Sequence, residues 1–264
     1  MPETARRVVQ ALPLIVFAGL IVGYGGPVFM VGVLALGILA LNELYRMMGR
    51  ARPVNLAGFL TLVALCLVAL YGDRQDVVLV LVIAFPVTYF LAVMRPRREN
   101  VSWGIAVTFL GVLWIGLALV HAILLREMDH GGALVLLTLV GTFISDTAAY
   151  FAGRRYGRTQ ITPRISPNKT LEGLVAGIAG GTFMFWLVGL GYHHEWFNGT
   201  DRLLIGLAVA CAAPLGDLFE SLLKRDLGVK DAGRTFGSHG GVLDRLDGAL
   251  FALPAAYYVS LAVL

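Results

Sequence analysis

Long apolar runs separated by short polar connections occupy almost the whole 264-residue chain. Charge-poor windows fall at about 8–24, 27–45, 56–72, 77–94, 102–125, 132–151, 171–192, 203–223 and 246–263. Each is close to the roughly 20 apolar residues that an α-helix needs to cross the hydrocarbon core of a bilayer. The pattern therefore predicts about nine transmembrane helices in an all-α, polytopic integral membrane protein. The opening "RRVVQALPLIVFAGLIVGYGG" is charged and then apolar, like a signal peptide, but it lacks a convincing small-x-small cleavage site and runs into a second apolar span. It is read as a retained hairpin turned at Gly25-Gly26-Pro27.

Composition supports the same class. The chain is 58% hydrophobic and 14% charged, with a mean hydropathy of +0.77, too apolar for a soluble domain. Lys and Arg prefer short cytoplasmic loops, and 18 of the 21 basic residues fall on one side of the nine-span arrangement. Arg74, Arg126 and Arg202 are the exceptions. The amino terminus is thus expected in the cytoplasm. For a bacterial chain this means the inner membrane, with the active site facing the cytoplasm. The net charge of +4 is an orientation signal and an attraction to anionic lipid, and nothing points to nucleic acid. Cys66 and Cys211 lie in apolar spans without metal-type spacing and are read as packing residues.

No internal repeat is evident, and residues 1–264 read as a single polytopic domain. Residues 1–130 carry the five scaffold spans, whereas 131–264 carry the last four spans and the most highly charged cytoplasmic loops. Asp146, Asp217, Glu220 and Asp247 lie in or at the ends of these later spans. An ionisable residue in a span is costly unless partnered, so each is a functional candidate, with an internal ion pair as the structural alternative. Asp217, Glu220, Ser221 and Lys224 follow the spacing of one helical face. Asp244 and Asp247 lie one turn apart at the start of the last span.

The most polar stretch is "KRDLGVKDAGRTFGSHGGVLDRLD", Lys224 to Asp247, with five basic residues, four aspartates, a histidine and five glycines. Carboxylates that hold Mg²⁺ often do so together with substrate phosphates, Lys and Arg neutralise the remaining phosphate charge, and glycines let backbone N–H groups come close. "SPNKTLEG" offers Ser166, Asn168, Lys169 and Thr170 just before an apolar run, either as an anion site or as an ordinary capped helix start. His239 alone, and His193 and His194 on the far side, read as solvated loop histidines.

The stretch "SLLKRDLGVKDAGRTFGSHGGVLDRLD", Ser221 to Asp247, resembles the signature of the phosphatidate cytidylyltransferases, or CDP-diacylglycerol synthases. It fits Ser-x-hydrophobic-Lys-Arg, four residues, Lys-Asp, a small residue, and then His-Gly-Gly-hydrophobic-x-Asp-Arg-hydrophobic-Asp. The similarity extends to "GDLFES", "SPNKTLEG" and "SDTAAYFAGRRYG" and so covers the last four spans. Gly237-Ser238 stand where many relatives have Pro-Gly.

The resemblance implies transfer of CMP from CTP to phosphatidic acid, giving CDP-diacylglycerol and pyrophosphate at a bilayer surface. It implies Asp217 and Asp244 as Mg²⁺ ligands, with a second cation left open, and Asp247 and Asp146 in support. Lys224, Arg225, Lys230 and Lys169 would hold phosphates, and His239-Gly240-Gly241 would shape the loop over the nucleotide. Ser166, Asn168, Thr170, Ser221, Asp231 and Arg245 complete the expected substrate-binding set. A homodimer is compatible with the sequence. A CDP-alcohol phosphotransferase is disfavoured because its Asp-Gly-x-x-Ala-Arg helix pattern is missing. An ion-coupled transporter would favour broken helices and repeat symmetry at the midplane.

Overall fold

In the computed structural model, which describes residues 18–96, 99–191, 197–233 and 240–264, the long apolar runs are helices. Eight of them, α1 (Gly26–Met47), α2 (Asn55–Tyr71), α3 (Arg74–Val93), α4 (Val101–Arg126), α5 (Gly131–Tyr156), α6 (Leu171–Gly189), α7 (Gly199–Asp226) and α8 (Leu243–Val263), correspond to the second to ninth expected spans. Residues 18–24 are also helical, and the rest of the first window lies outside the described residues. Seven of the eight labelled helices are long and apolar enough to cross a membrane, while α2 is shorter at 17 residues. The chain is a polytopic, helical, membrane-type protein.

The expected turn forms at Gly25-Gly26-Pro27. Both glycines adopt positive φ, and Pro27 lies in the first turn of α1, where a missing N–H costs little. Arg126 from the end of α4 donates to the Val22 carbonyl at 2.8 Å and fills the space beside Gly25 that a side chain would need. Helix α4 contains a π-helical segment, Val112–Gly116, within which Trp114 packs edge-on to Phe219 of α7 at 4.7 Å between ring centroids. One buried core joins the two halves of the sequence, with Leu41, Leu65 and Ile115 in the same cluster as Leu134, Val209 and Leu253.

Close backbone packing positions the second half. Gly173, Gly177 and Gly181 repeat every four residues along α6 and meet Ala149, Ser145 and Gly141 of α5. In lipid, where apolar burial does little to bring helices together, such small-residue stripes let van der Waals packing do so. Between α7 and α8, Gly216 lies directly against the Asp247 carbonyl. A methyl group there would push the two helices apart.

The structure departs from an all-helical expectation between α5 and α6. Strands β1 (Gln160–Thr162) and β2 (Ser166–Thr170) form a small antiparallel sheet, pairing Gln160 with Thr170 and Thr162 with Ser166. Pro163 and Pro167 oppose a helix here, and the β-branched Thr159, Ile161, Thr162, Ile165 and Thr170 suit extended backbone. Glu172 fastens the hairpin to α6 by accepting from the Arg158 and Thr159 backbone N–H groups at 3.0 and 3.2 Å. Cys66 is buried as expected, but Cys211 lies on an exposed face of α7 rather than in the core.

Candidate active site

The site lies where α5, α6, α7 and α8 meet at the end that carries the hairpin. Helix α7 has 28 residues, about 42 Å at 1.5 Å per residue, so it is longer than the roughly 30 Å hydrocarbon core. Its polar stripe falls in the final third. Asp217 forms an ion pair with Lys169 of β2 at 2.6 Å and accepts from the Ser221 hydroxyl at 3.3 Å. Two turns beyond Asp217, Lys224 stands between Glu220 at 3.1 Å and Asp244 of α8 at 2.8 Å.

Three elements therefore converge through two lysines. Asp247, at the start of α8, lies within electrostatic reach of Asp217, Glu220 and Lys224, and Asp146 of α5 within reach of Asp217, Asp247 and Lys169. Asp217 and Lys224 do not pair with each other, because residues seven apart lie two turns apart along α7. Each lysine instead bridges to a carboxylate on another element. A carboxylate held against an ammonium fixes where the remaining hydrogen-bonding capacity of both groups points.

Asp244 is the most extensively held of the acids. Besides Lys224, it accepts from Ala232 N–H at 3.1 Å and from Gly241 N–H at 2.7 Å. Gly240 supplies the positive φ that turns the chain here, and its bare α-carbon lies against the Asp244 carboxylate. The loop glycines thus bring backbone donors to a carboxylate.

The other expected residues divide by position. Thr170 caps α6, its hydroxyl accepting from Gly173 N–H at 3.2 Å, so the capping role considered for this segment is realised. Lys169, next to it, reaches into the acidic cluster. Ser166 and Asn168 lie on β2, with Asn168 exposed. Arg225 donates to the Ile165 carbonyl at 3.1 Å and braces the hairpin against α7. Lys230, Asp231 and Arg245 are exposed around the same end. His239 lies outside the described residues, as do His193 and His194.

Glu43, in the last turns of α1, was not singled out from the sequence. It is 4% exposed, and its carboxylate accepts from Leu243 N–H at 2.9 Å, at the start of α8. The signal was available, since Glu43 is an ionisable residue at the end of an apolar span. Nothing local tied it to a partner 200 positions away.

Among the described residues, no three His, Cys, Asp or Glu side chains converge into a ready-made metal shell. The available donors nevertheless suit Mg²⁺. They are hard carboxylate oxygens, and the fully buried Glu220 carboxylate, 3.1 Å from Lys224, belongs to the same cluster. Mg²⁺ usually takes one or two protein carboxylates and completes its shell with water and phosphate oxygens. Asp217 and Asp244 could serve in this way.

A helical membrane protein with paired lysines and carboxylates, glycine-lined turns and backbone donors at one end has the chemistry to hold phosphates near a bilayer surface. A family model described as the cytidylyltransferase family matches residues 5–263, and the chain belongs to that family. It is similar to the phosphatidate cytidylyltransferase of Bacillus subtilis, with 32% identity over 271 residues covering 98% of each chain. Relatives of the same name from Thermotoga maritima and Aquifex aeolicus are 45% and 36% identical over stretches covering 50% and 56% of their own lengths. In those two alignments the chain spans about half the length of the relative.

Proposed function

We propose that this chain transfers CMP from CTP to phosphatidic acid, giving CDP-diacylglycerol and pyrophosphate. The observation that carries the reading is the double bridge of Lys169 to Asp217 and Lys224 to Asp244, made by residues of the segments that resemble the family signature. In the reaction a phosphate oxygen of the lipid forms a bond to the α-phosphorus of CTP. The bond from that phosphorus to the oxygen bridging to the β-phosphate breaks, and pyrophosphate departs. Two polyanions must meet, so charge neutralisation and alignment are the main tasks.

Lys224 and Lys169 supply positive charge, and each ammonium has three donors, leaving capacity beyond the carboxylates it already meets. Asp217 and Asp244 would hold Mg²⁺, with Asp247 and Asp146 shaping the surrounding field. The cation would neutralise phosphate charge when bound. A phosphate monoester is largely ionised near neutral pH, so the attacking oxygen needs no strong general base. Lys230, Arg225 and Arg245 add positive charge around the approach, and Gly240-Gly241 allow a nucleotide to lie close to backbone. The clustering of the acids toward one end of the helices favours this chemistry over ion-coupled transport.

The same reading has nine spans, with the amino terminus and the two large polar loops on the cytoplasmic face, supported by the distribution of basic residues. Phosphatidic acid would enter from the adjacent leaflet, and CTP from the cytoplasm. Purified protein supplied with phosphatidic acid, CTP and Mg²⁺ should produce CDP-diacylglycerol and pyrophosphate. Folded protein that makes neither under these conditions would overturn the proposal.

A further inference from the structure

Glu43 lies in α1, within the half of the chain expected to be scaffold, yet it meets the charged loop at both of its described limbs. On the outgoing limb, Gly233 places its α-carbon against the Glu43 carboxylate, and on the returning limb Gly241 does the same. A methyl group at either glycine would overlap that carboxylate. Leu243 N–H, in the first turn of α8, donates to Glu43 Oε2 at 2.9 Å. This is one of the helix-start donors that no carbonyl within α8 can satisfy, and a negative charge there also complements the helix dipole.

The same limbs also meet Asp244. Ala232, beside Gly233, donates to both Asp244 oxygens at 3.1 and 3.2 Å, and Gly241 donates to Oδ2 at 2.7 Å. The two strands of chain are thus fixed between two carboxylates, with Glu43 on one side and Asp244 on the other. Displacing either limb from Glu43 moves the N–H groups that fix Asp244 facing Lys224.

We infer that Glu43 is a positioning residue for the reaction, acting through residues 232–233 and 241–243 to set the orientation of Asp244. The inference rests on the cytidylyltransferase reading for its catalytic consequence and gives the first half of the chain a defined part in the active site. Glu43 contacts the loop backbone at Gly233, Gly241 and Leu243. Its effect should appear as misalignment rather than as loss of lipid binding.

The test uses the full chain in lipid nanodiscs. Glu43→Ala should lower kcat at least tenfold, with KM for phosphatidic acid changed less than twofold. Glu43→Gln, which keeps a carbonyl acceptor for Leu243 N–H, should recover part of the loss. Backbone hydrogen exchange of peptides covering 230–233 and 240–244 should rise severalfold in Glu43→Ala, while the α5–α6 peptides remain at wild-type protection. If Glu43→Ala fails to fold, Glu43→Gln and Gly233→Ala provide the same two readouts, the latter by crowding the carboxylate. Wild-type kcat in folded variants, or lowered kcat with unchanged exchange in the loop, would overturn the inference. An inactive wild-type protein whose loop still loosens in the variants would instead overturn the reading of the reaction and leave the Glu43 contact standing.

Discussion

Replacing Lys224 with methionine removes the positive charge shared by Glu220 and Asp244 while retaining most of the side-chain length. The ammonium lies 3.1 Å from Glu220 and 2.8 Å from Asp244, whose side chains are 0% and 12% exposed. At an effective dielectric of about 20, the Lys224–Asp244 attraction is about 6 kcal/mol before desolvation is subtracted. Removing one partner of a buried pair leaves an uncompensated charge and costs about 3–5 kcal/mol. For a chain of this size that corresponds to a fall in Tm of roughly 6–20 °C. The double variant Lys224→Met/Glu220→Gln replaces one of the two buried carboxyls left without the ammonium, so part of the lost stability should return. Activity should not return, because the ammonium assigned to phosphate is still missing. Thermal unfolding in detergent, read beside incorporation of labelled CTP into extractable lipid, separates the two effects. An unchanged Tm in Lys224→Met would refute the ion-pair argument. Near-wild-type turnover in the stabilised double variant would refute the phosphate role.

Asp217→Asn and Asp244→Asn should each reduce turnover by at least 100-fold in protein that remains folded, and Mg²⁺ titration should show a weakened requirement or affinity; unaltered kinetics would remove that residue from the proposed cation site. Thr170→Ala should cost about 1 kcal/mol through loss of the α6 cap, measured as a lower Tm. Gly177→Ala should cost about 1–3 kcal/mol, because the added methyl would lie 2.9 Å from Ala149 Cβ and the Ser145 carbonyl; unchanged stability would show that α5 and α6 are not closely locked there. Single cysteines at positions 160 and 198, introduced in a Cys66→Ser/Cys211→Ser background, should be labelled from opposite sides of the membrane, and labelling of both from one side would refute the proposed topology.

Much of the architecture was legible in the sequence because crossing a bilayer imposes a long apolar signal. The second to ninth windows correspond to α1–α8, and Gly25-Gly26-Pro27 marks the turn before α1. Asp217, Glu220, Ser221 and Lys224 could be placed on one helical face from their spacing alone, since helix periodicity is local. The hairpin at 160–170 was less legible, as two short strands lack a long repeat and their pairing is decided by the contacts that hold the turn. Partner choice belongs to tertiary structure. Asp217 takes Lys169 from β2, Lys224 takes Asp244 from α8, and Glu43 meets Leu243 across 200 positions, because helix packing brings distant side chains together where an unpaired charge would be costly. The sequence by itself determined the apolar helices α1–α8, their polar faces and the supply of charged side chains at one end. Only the packed bundle decided which charges meet, because that depends on the approach and rotation of helices rather than on spacing along any one of them.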